Sequence, residues 1–129
     1  MVFVDSNVPM YLVGQPHPNR ELFAAYMRAN AGDTFVTSAE VYQEVVHRYI
    51  AINRRQAIDD CFSLLDAVVQ HVYPITREDT ERARRIAHDE HRLSGRDCLH
   101  LAVMERFGVK RILTADTDFD VWAGITRLP

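Results

Sequence analysis

Short apolar runs separated by longer amphipathic segments restrict the fold of this chain more than any other feature. Runs rich in β-branched and aromatic residues predict strands at residues 2–5, 34–37, 71–75 and 110–114, with a weaker strand near 125–128. Segments of helical periodicity fill the gaps between these runs. Because parallel neighbouring strands need long right-handed crossovers, this alternation favours a mainly parallel sheet with helices on both faces. The sequence therefore predicts an α/β fold, a three-layer α/β/α sandwich.

Several predicted helices carry residues typical of helix starts and stops. Asn7 followed by Pro9 predicts an N-cap and an early-helix proline, so that the first strand leads almost directly into a helix. Further helices are predicted over 22–29, from Ser38 to Ile50, over 57–69, from Thr76 to about His91, and from near Gly95 to Gly108. In sheets of this class, ligands bind outside the carboxyl ends of the strands.

The size and composition of the chain fit one globular domain. At 129 residues, with 47% hydrophobic and 26% charged residues, it can bury a single core, and we expect one domain over residues 1–129. No apolar stretch approaches the roughly 20 residues of a membrane span, and the first residues lack the basic and apolar regions of a secretory signal. Cys61 and Cys98 lie in apolar helical surroundings, which favour reduced thiols over a disulfide. These features predict a cytoplasmic protein with no membrane partner.

The basic residues of this chain are almost all arginine. The net charge of −3 does not favour a polyanionic partner for the chain as a whole. Among its 15 basic residues only Lys110 is a lysine, and the planar guanidinium suits bidentate contact with phosphate or carboxylate. Five arginines fall within one stretch: Arg82, Arg84, Arg85, Arg92 and Arg96. They are consistent with a basic face near a site and equally with a solvated helix surface.

Two aspartates directly follow predicted strands. Asp5 closes the first apolar run, and Asp116 comes just beyond the strand that ends near Thr114. Because the carboxyl ends of parallel strands lie at one edge of the sheet, we expect both carboxylates at that edge. Asp5 also suits a turn between strand and helix, but Asn7 is available as the cap, which favours a functional Asp5. Converging carboxylates are the usual ligands of hard divalent cations.

The acidic run that begins at Asp116 does not fit a calcium loop. Counted from Asp116, such a loop requires Gly at its sixth position and Glu at its twelfth, whereas this chain has Val121 and Arg127 there. The run is instead interpreted as a loop in which Asp116 faces the site, with Asp118 as a further candidate, while Phe119 packs inward.

Two further candidate acids lie within predicted helices. Asp97 opens a segment that is apolar around most of its circumference, so its carboxylate lies on a buried side and needs a partner. Ser94 and Asp97 also fit a capping box, a role compatible with that of a ligand. Glu44 and Glu40 both flank the apolar sector of their helix, and only a shared face with Val41 favours Glu44. Carboxylates roughly 4 Å apart repel by about 4 kcal/mol per pair, a cost that a cation removes.

The histidines form no catalytic constellation by spacing. His88 and His91 share one helix face, but no third group completes a metal-free ribonuclease site. His47, His71 and His100 are interpreted as packing or solvated residues rather than ligands. The carboxylates are therefore the better candidates for chemistry.

Four segments, in a fixed order, carry a resemblance to a known family: Val4 to Asn7, Thr37-Ser38 with Glu44, Ser94 to Ala102, and Ile112 to Phe119. Together they resemble the PIN-domain family, and among its branches the VapC-type ribonuclease toxins of prokaryotic toxin–antitoxin systems. The likeness covers nearly the whole chain. One small departure is Cys98, which stands where alanine is more usual.

The resemblance implies a metal-dependent ribonuclease. According to the resemblance, the acidic metal centre consists of Asp5, Glu44, Asp97 and Asp116. Asp118 is an additional acid beside it. Asn7 and Thr114 match polar positions that support or border that centre, and Arg96 is the nearest arginine in sequence for holding phosphate. The resemblance further implies Mg²⁺ or Mn²⁺ as cofactor, RNA as substrate, a cognate antitoxin as partner, and a homodimer. The alternative is a non-catalytic PIN-like module that binds RNA or a partner protein.

Overall fold

The structure is a computed structural model that describes residues 1–129. Its strands are β1 (Val2–Val4), β2 (Phe35–Ser38), β3 (His71–Tyr73), β4 (Arg111–Leu113) and β5 (Thr126–Leu128). They form one sheet in the order β3-β2-β1-β4-β5, and every neighbouring pair is parallel. All the predicted strands are present, including the weak last one.

Six α-helices connect the strands: α1 (Asn7–Val13), α2 (Pro18–Ala29), α3 (Ala39–Ala51), α4 (Ile58–Val68), α5 (Arg77–Asp89) and α6 (Gly95–Phe107). With the parallel sheet they make a three-layer α/β/α sandwich, which confirms the predicted fold class. Two short 3₁₀ turns cover Arg55–Ala57 and Thr117–Val121. None of the helices combines the length and the apolar character that crossing a membrane requires.

The core is built around the central strand and α6. Residues 2–4 of β1 have no exposed surface. Most of α6 is also buried, as its apolar circumference predicts: Asp97, Cys98, His100, Leu101, Ala102, Val103 and Met104. Cys61 and Cys98 are buried free thiols, and Phe119 packs into the core, both as predicted. α6 is thereby packed into the core, with its first turn at the carboxyl edge.

A buried carboxylate fixes the start of α5. Asp79 is 2% exposed and closes the predicted capping box with Thr76. Its two oxygens also accept hydrogen bonds from Arg106 of α6, both at 2.8 Å. The cap of one helix is thus also the ion-pair partner of its neighbour.

We expect Asp79→Ala to lower the free energy of unfolding by about 2–3 kcal/mol, because it removes the cap and leaves a partly buried guanidinium unpaired. Urea denaturation measures the loss. The matched control is Glu78→Ala, an exposed acid in the same first turn, which should change stability by about 0.5 kcal/mol at most. Equal losses for the two variants would contradict this role of Asp79.

Candidate metal centre

Asp5 follows β1 and lies at the carboxyl edge of the sheet. Val4 pairs with Leu113 of the neighbouring parallel strand, so Asp5 and Thr114 lie side by side. Asp5 is 5% exposed, and one of its oxygens accepts the Thr114 hydroxyl at 2.6 Å. The other oxygen accepts the N–H of Ser6 at 2.7 Å. Burial and these bonds hold the carboxylate in one orientation.

Asn7 supports Asp5 instead of capping α1. The prediction of Asn7 as N-cap is wrong, because Ser6 occupies that position and Asn7 is the first helical residue. The Asn7 amide nitrogen donates to the Thr114 hydroxyl at 2.9 Å and to Asp5 at 3.2 Å. Its oxygen accepts the N–H of Ala115 at 3.1 Å. Asn7 and Thr114 therefore join the end of β4 to the Asp5 carboxylate.

Glu44 reaches the same edge from α3. Its side chain is 13% exposed, and one oxygen accepts the Ser6 hydroxyl at 2.9 Å. Its other oxygen lies 2.5 Å from Nε2 of His100. Helical periodicity left Glu44 and Glu40 close to equivalent. The structure separates them, since Glu44 belongs to a group of potential metal ligands and Glu40 does not.

His100 is the site residue that the sequence interpretation missed. It is 1% exposed and its ring lies 5.3 Å from that of Phe3, so the packing interpretation is correct in part. Nε2 also contacts Glu44 and lies 3.7 Å from Asp5, and the three residues form one group of potential ligands. Nδ1 is buried and has no hydrogen-bond partner. The sequence feature that could have identified His100 is its spacing from Asp97. His100 follows Asp97 by three residues and therefore shares its face of α6.

A second group of potential ligands consists of Asp97, Asp116 and Asp118, with oxygens within 4.8 Å of one another. Asp97 is 8% exposed, and its Oδ2 accepts the N–H of Ser94 in the predicted capping box, while Oδ1 makes no hydrogen bond. Asp116 is half-buried and accepts the N–H of the exposed Asp118 at 2.9 Å. The capping role of Asp97 therefore leaves one of its oxygens available.

Burial and mutual repulsion determine the charges of the site. Burial raises the pKa of Asp5, although the His100 imidazole opposes the rise. Burial also raises the pKa of Asp97, and the charges of Asp116 and Asp5 add to that rise, so the two groups of ligands interact. Burial acts to raise the pKa of Glu44, but His100, with smaller contributions from Ser6 and Arg96, outweighs it and the pKa falls. Burial acts to lower the pKa of His100, but the contact with Glu44 and the charge of Asp5 together outweigh it and the pKa rises.

The donor set fits a hard divalent cation. Carboxylate oxygens dominate both groups of potential ligands, and such oxygens suit Mg²⁺ and Mn²⁺. The raised pKa values of Asp5 and Asp97 show that their negative charges lack full compensation within the protein. A bound cation would supply that compensation.

Most of the arginines singled out in the sequence lie away from this centre. Four of the five make surface ion pairs with glutamates: Arg82, Arg84, Arg85 and Arg92. For Arg82, Arg84 and Arg85 the solvated-surface interpretation fits, whereas Arg92 also lies near Asp118. Arg96 differs, since its Nε lies 3.8 Å from Glu44 and its side chain is half exposed.

A cavity of about 510 Å³ opens beside Glu44, between α1 and α3. Glu44 lines one end of it together with the neutral Ser6 and Asn7. Gly14 forms part of its wall, where a Cβ atom would lie 2.9 Å from the carbonyl oxygen of Met10. Because three arginines also line it, we call it the arginine cavity: Arg48, Arg54 and Arg96.

Comparison with known proteins gives consistent matches over nearly the full chain. The family model described as PIN domain matches residues 2–125. The chain is 47% identical over 131 residues to Ribonuclease VapC13 of Mycobacterium tuberculosis, with 99% of both chains covered.

Solved structures share the fold at lower identity. VapC20 of Mycobacterium tuberculosis, described as a Sarcin-Ricin loop cleaving toxin, matches with a TM-score of 0.81 at 23% identity, over 100% of both chains. A toxin–antitoxin complex from Klebsiella pneumoniae contains a chain that matches with a TM-score of 0.66 at 15% identity. That match covers 98% of this chain and 96% of the other.

Proposed function

This chain belongs to the PIN-domain family, in its VapC branch, and from that premise we propose that it is a divalent-metal-dependent endoribonuclease and the toxin of a toxin–antitoxin pair. Residues 1–129 form a single nuclease domain in this proposal, and the cofactor is Mg²⁺ or Mn²⁺. The full-length similarity to a ribonuclease supports the RNA-cleaving activity.

The observation that carries the proposal is that acids from four distant segments of the chain form two neighbouring groups of potential ligands. They come from the end of β1, the middle of α3, the start of α6 and the loop after β4: Asp5, Glu44, Asp97 and Asp116. Packing does not explain this arrangement, because burial disfavours the charged forms of Asp5 and Asp97. Cation binding would account for it, since a bound cation stabilises those charged forms.

Each side chain has a definite role in this function. Asp5 and Glu44 in one group of potential ligands, and Asp97 and Asp116 in the other, would hold the divalent cation, and Asp118 offers a further oxygen from its exposed loop. When bound, a divalent cation supplies Lewis acidity, which lowers the pKa of an attacking water and offsets charge on the phosphate. Asn7 and Thr114 keep Asp5 in position. Arg96 is half exposed beside Glu44, where its guanidinium can bind an RNA phosphate.

A cognate antitoxin is the partner that this function requires, and the toxin–antitoxin complex with the same fold supports one. The carboxylates at this edge, which end at the exposed Asp118, favour a basic segment of that partner by charge complementarity. We also propose a homodimer, which light scattering of the purified chain would test.

Metal removal tests the activity directly. We expect the protein to cleave transfer or ribosomal RNA with Mg²⁺ or Mn²⁺, to lose cleavage in EDTA, and to recover it when the cation is restored. A gel-based cleavage assay measures each state, and a variant lacking Asp97, purified identically, controls for contaminating nuclease.

Two outcomes would contradict the proposal. Cleavage that persists in EDTA would show that no divalent cation is needed. RNA binding without cleavage under any divalent cation would favour the non-catalytic module instead.

A further inference from the structure

Two arginines of the arginine cavity have no carboxylate partner. Arg48 lies one helical turn after Glu44 on α3, and Arg54 follows the end of that helix. Both are exposed and neither makes a side-chain hydrogen bond or ion pair, whereas nine other arginines pair with acids. With Arg96 they place three guanidinium groups around one cavity, in a chain whose net charge is negative. Such a cavity suits an anionic ligand.

The remaining wall of the arginine cavity is largely apolar. α1 contributes Met10, Tyr11 and Val13, and the opposite side contributes Tyr49, Ile52 and Ala57. Ile52 is 40% exposed, although it is a large apolar residue. A volume of about 510 Å³ lies within the range of small-ligand sites. Apolar walls with a few charged groups are the usual composition of a site that holds an aromatic ring together with a phosphate.

Building on the ribonuclease function proposed above, we propose that the arginine cavity binds one unpaired nucleotide of the RNA strand, next to the phosphate that is cleaved. Arg96, beside Glu44, contacts the cleaved phosphate, and Arg48 and Arg54 contact the phosphate that follows or precedes it. The base packs against Tyr11 and Ile52. The positions agree with this order, because Arg48 lies about 6 Å further along α3 than Glu44.

This assignment limits the substrate to single-stranded or looped RNA. A base held in the cavity must leave its stack and its pairing partner, which costs little in a loop and several kcal/mol in a duplex. Aromatic side chains and arginine planes are the groups that hold such unstacked bases.

A protein segment fits the arginine cavity less well than a nucleotide. The antitoxin segment that complements the acidic edge is expected to be basic, and three arginines would repel it. A nucleotide avoids this conflict, since its phosphate is attracted by the arginines and its base needs no charged partner.

Binding of RNA without metal tests the proposal. Wild-type protein in EDTA is titrated into a short fluorescein-labelled single-stranded RNA, and anisotropy gives the Kd. We expect each of Arg48→Gln and Arg54→Gln to weaken binding about tenfold, and the slope of log Kd against log salt to fall by about 0.7 for each. The same RNA paired in a duplex should bind about tenfold more weakly, or worse, than the single strand.

The matched control is the double variant Arg28→Gln/Arg55→Gln. These arginines are exposed, unpaired and outside the cavity, and their loss changes the net charge as much as the double variant Arg48→Gln/Arg54→Gln does. We expect the control to bind RNA with nearly the wild-type Kd.

Equal Kd values for the two double variants would overturn the proposal, as would a duplex that binds as tightly as the single strand. Either result would leave the ribonuclease function standing if wild type still cleaves RNA with Mg²⁺. Conversely, the expected arginine dependence together with no cleavage would support the nucleotide site and contradict the proposed activity. If the cavity binds a protein segment instead, Arg48→Gln/Arg54→Gln will bind RNA with the same Kd as the control variant. That result also overturns the proposal.

Discussion

Asp97→Asn is expected to reduce metal-dependent RNA cleavage by about 10²-fold to 10³-fold while leaving the fold intact. The amide keeps the size of the carboxylate and an oxygen that can accept the N–H of Ser94, so the capping box of α6 persists. What disappears is one negative charge in the group that Asp97 forms with Asp116 and Asp118. Cleavage rates with Mg²⁺ measure the effect, and calorimetric titration with Mn²⁺ measures the expected loss of cation affinity.

The same substitution should not destabilise the metal-free protein. Because burial raises the pKa of Asp97, the folded state binds a proton more tightly than the unfolded chain does. Stability due to this group therefore falls as the pH rises from the unfolded-state pKa through the raised folded-state pKa. Above that range the ionised Asp97 opposes folding. We expect metal-free Asp97→Asn to be at least as stable as wild type at neutral pH, and to gain less stability from added Mg²⁺.

Asp59→Asn provides the matched control for Asp97→Asn. Asp59 is an exposed acid in the first turn of α4, so the chemical change is the same and both residues lie in a first helical turn, but Asp59 lies outside the site. It should leave cleavage and cation affinity unchanged. If Asp97→Asn cleaved RNA as fast as Asp59→Asn, Asp97 would be a capping residue and no ligand.

The part of the site that lies at strand ends could be predicted from local pattern. Asp5 and Asp116 follow apolar runs, and parallel strands bring their carboxyl ends to one edge whatever the packing of the helices. Asp97 could be predicted because an acid in an otherwise apolar helix needs a partner. In each case the sequence feature that identifies the acid, a strand end or an apolar helix, lies within a few residues of it.

The residues that pattern did not identify depend on contacts across the chain. Periodicity placed Glu44 beside the apolar sector of α3, but only the Ser6 hydroxyl and the His100 ring show that it turns to the site. A histidine inside an apolar helix is commonly a packing residue, which obscured the role of His100. From the sequence, Arg48 is interpreted as helix surface. The structure shows that α1 forms the opposite wall of a cavity lined by Arg48. Helical periodicity predicts the face that a residue occupies, not what lies opposite that face.

His100→Leu is expected to destabilise the metal-free protein by about 3 kcal/mol, because it leaves the buried Asp5 and the partly buried Glu44 without their cationic partner. In wild type the raised pKa of His100 favours the imidazolium, which lies against Glu44 and Asp5. The folded state thus binds this proton more tightly than the unfolded chain, in which histidine titrates near about 6.5. Stability from His100 is fully present below that pH and is lost as the pH rises through the raised folded-state pKa.

Because Glu44 contacts His100 directly, the imidazolium and a divalent cation are alternative partners of that carboxylate. Added Mg²⁺ should therefore raise the free energy of unfolding of His100→Leu more than that of wild type, since the variant binds the cation without displacing a proton. Urea denaturation with and without Mg²⁺ measures both gains, and His47→Leu, an exposed histidine on α3, is the control. Equal gains in wild type and His100→Leu would show that His100 packs against Phe3 without competing for the metal centre.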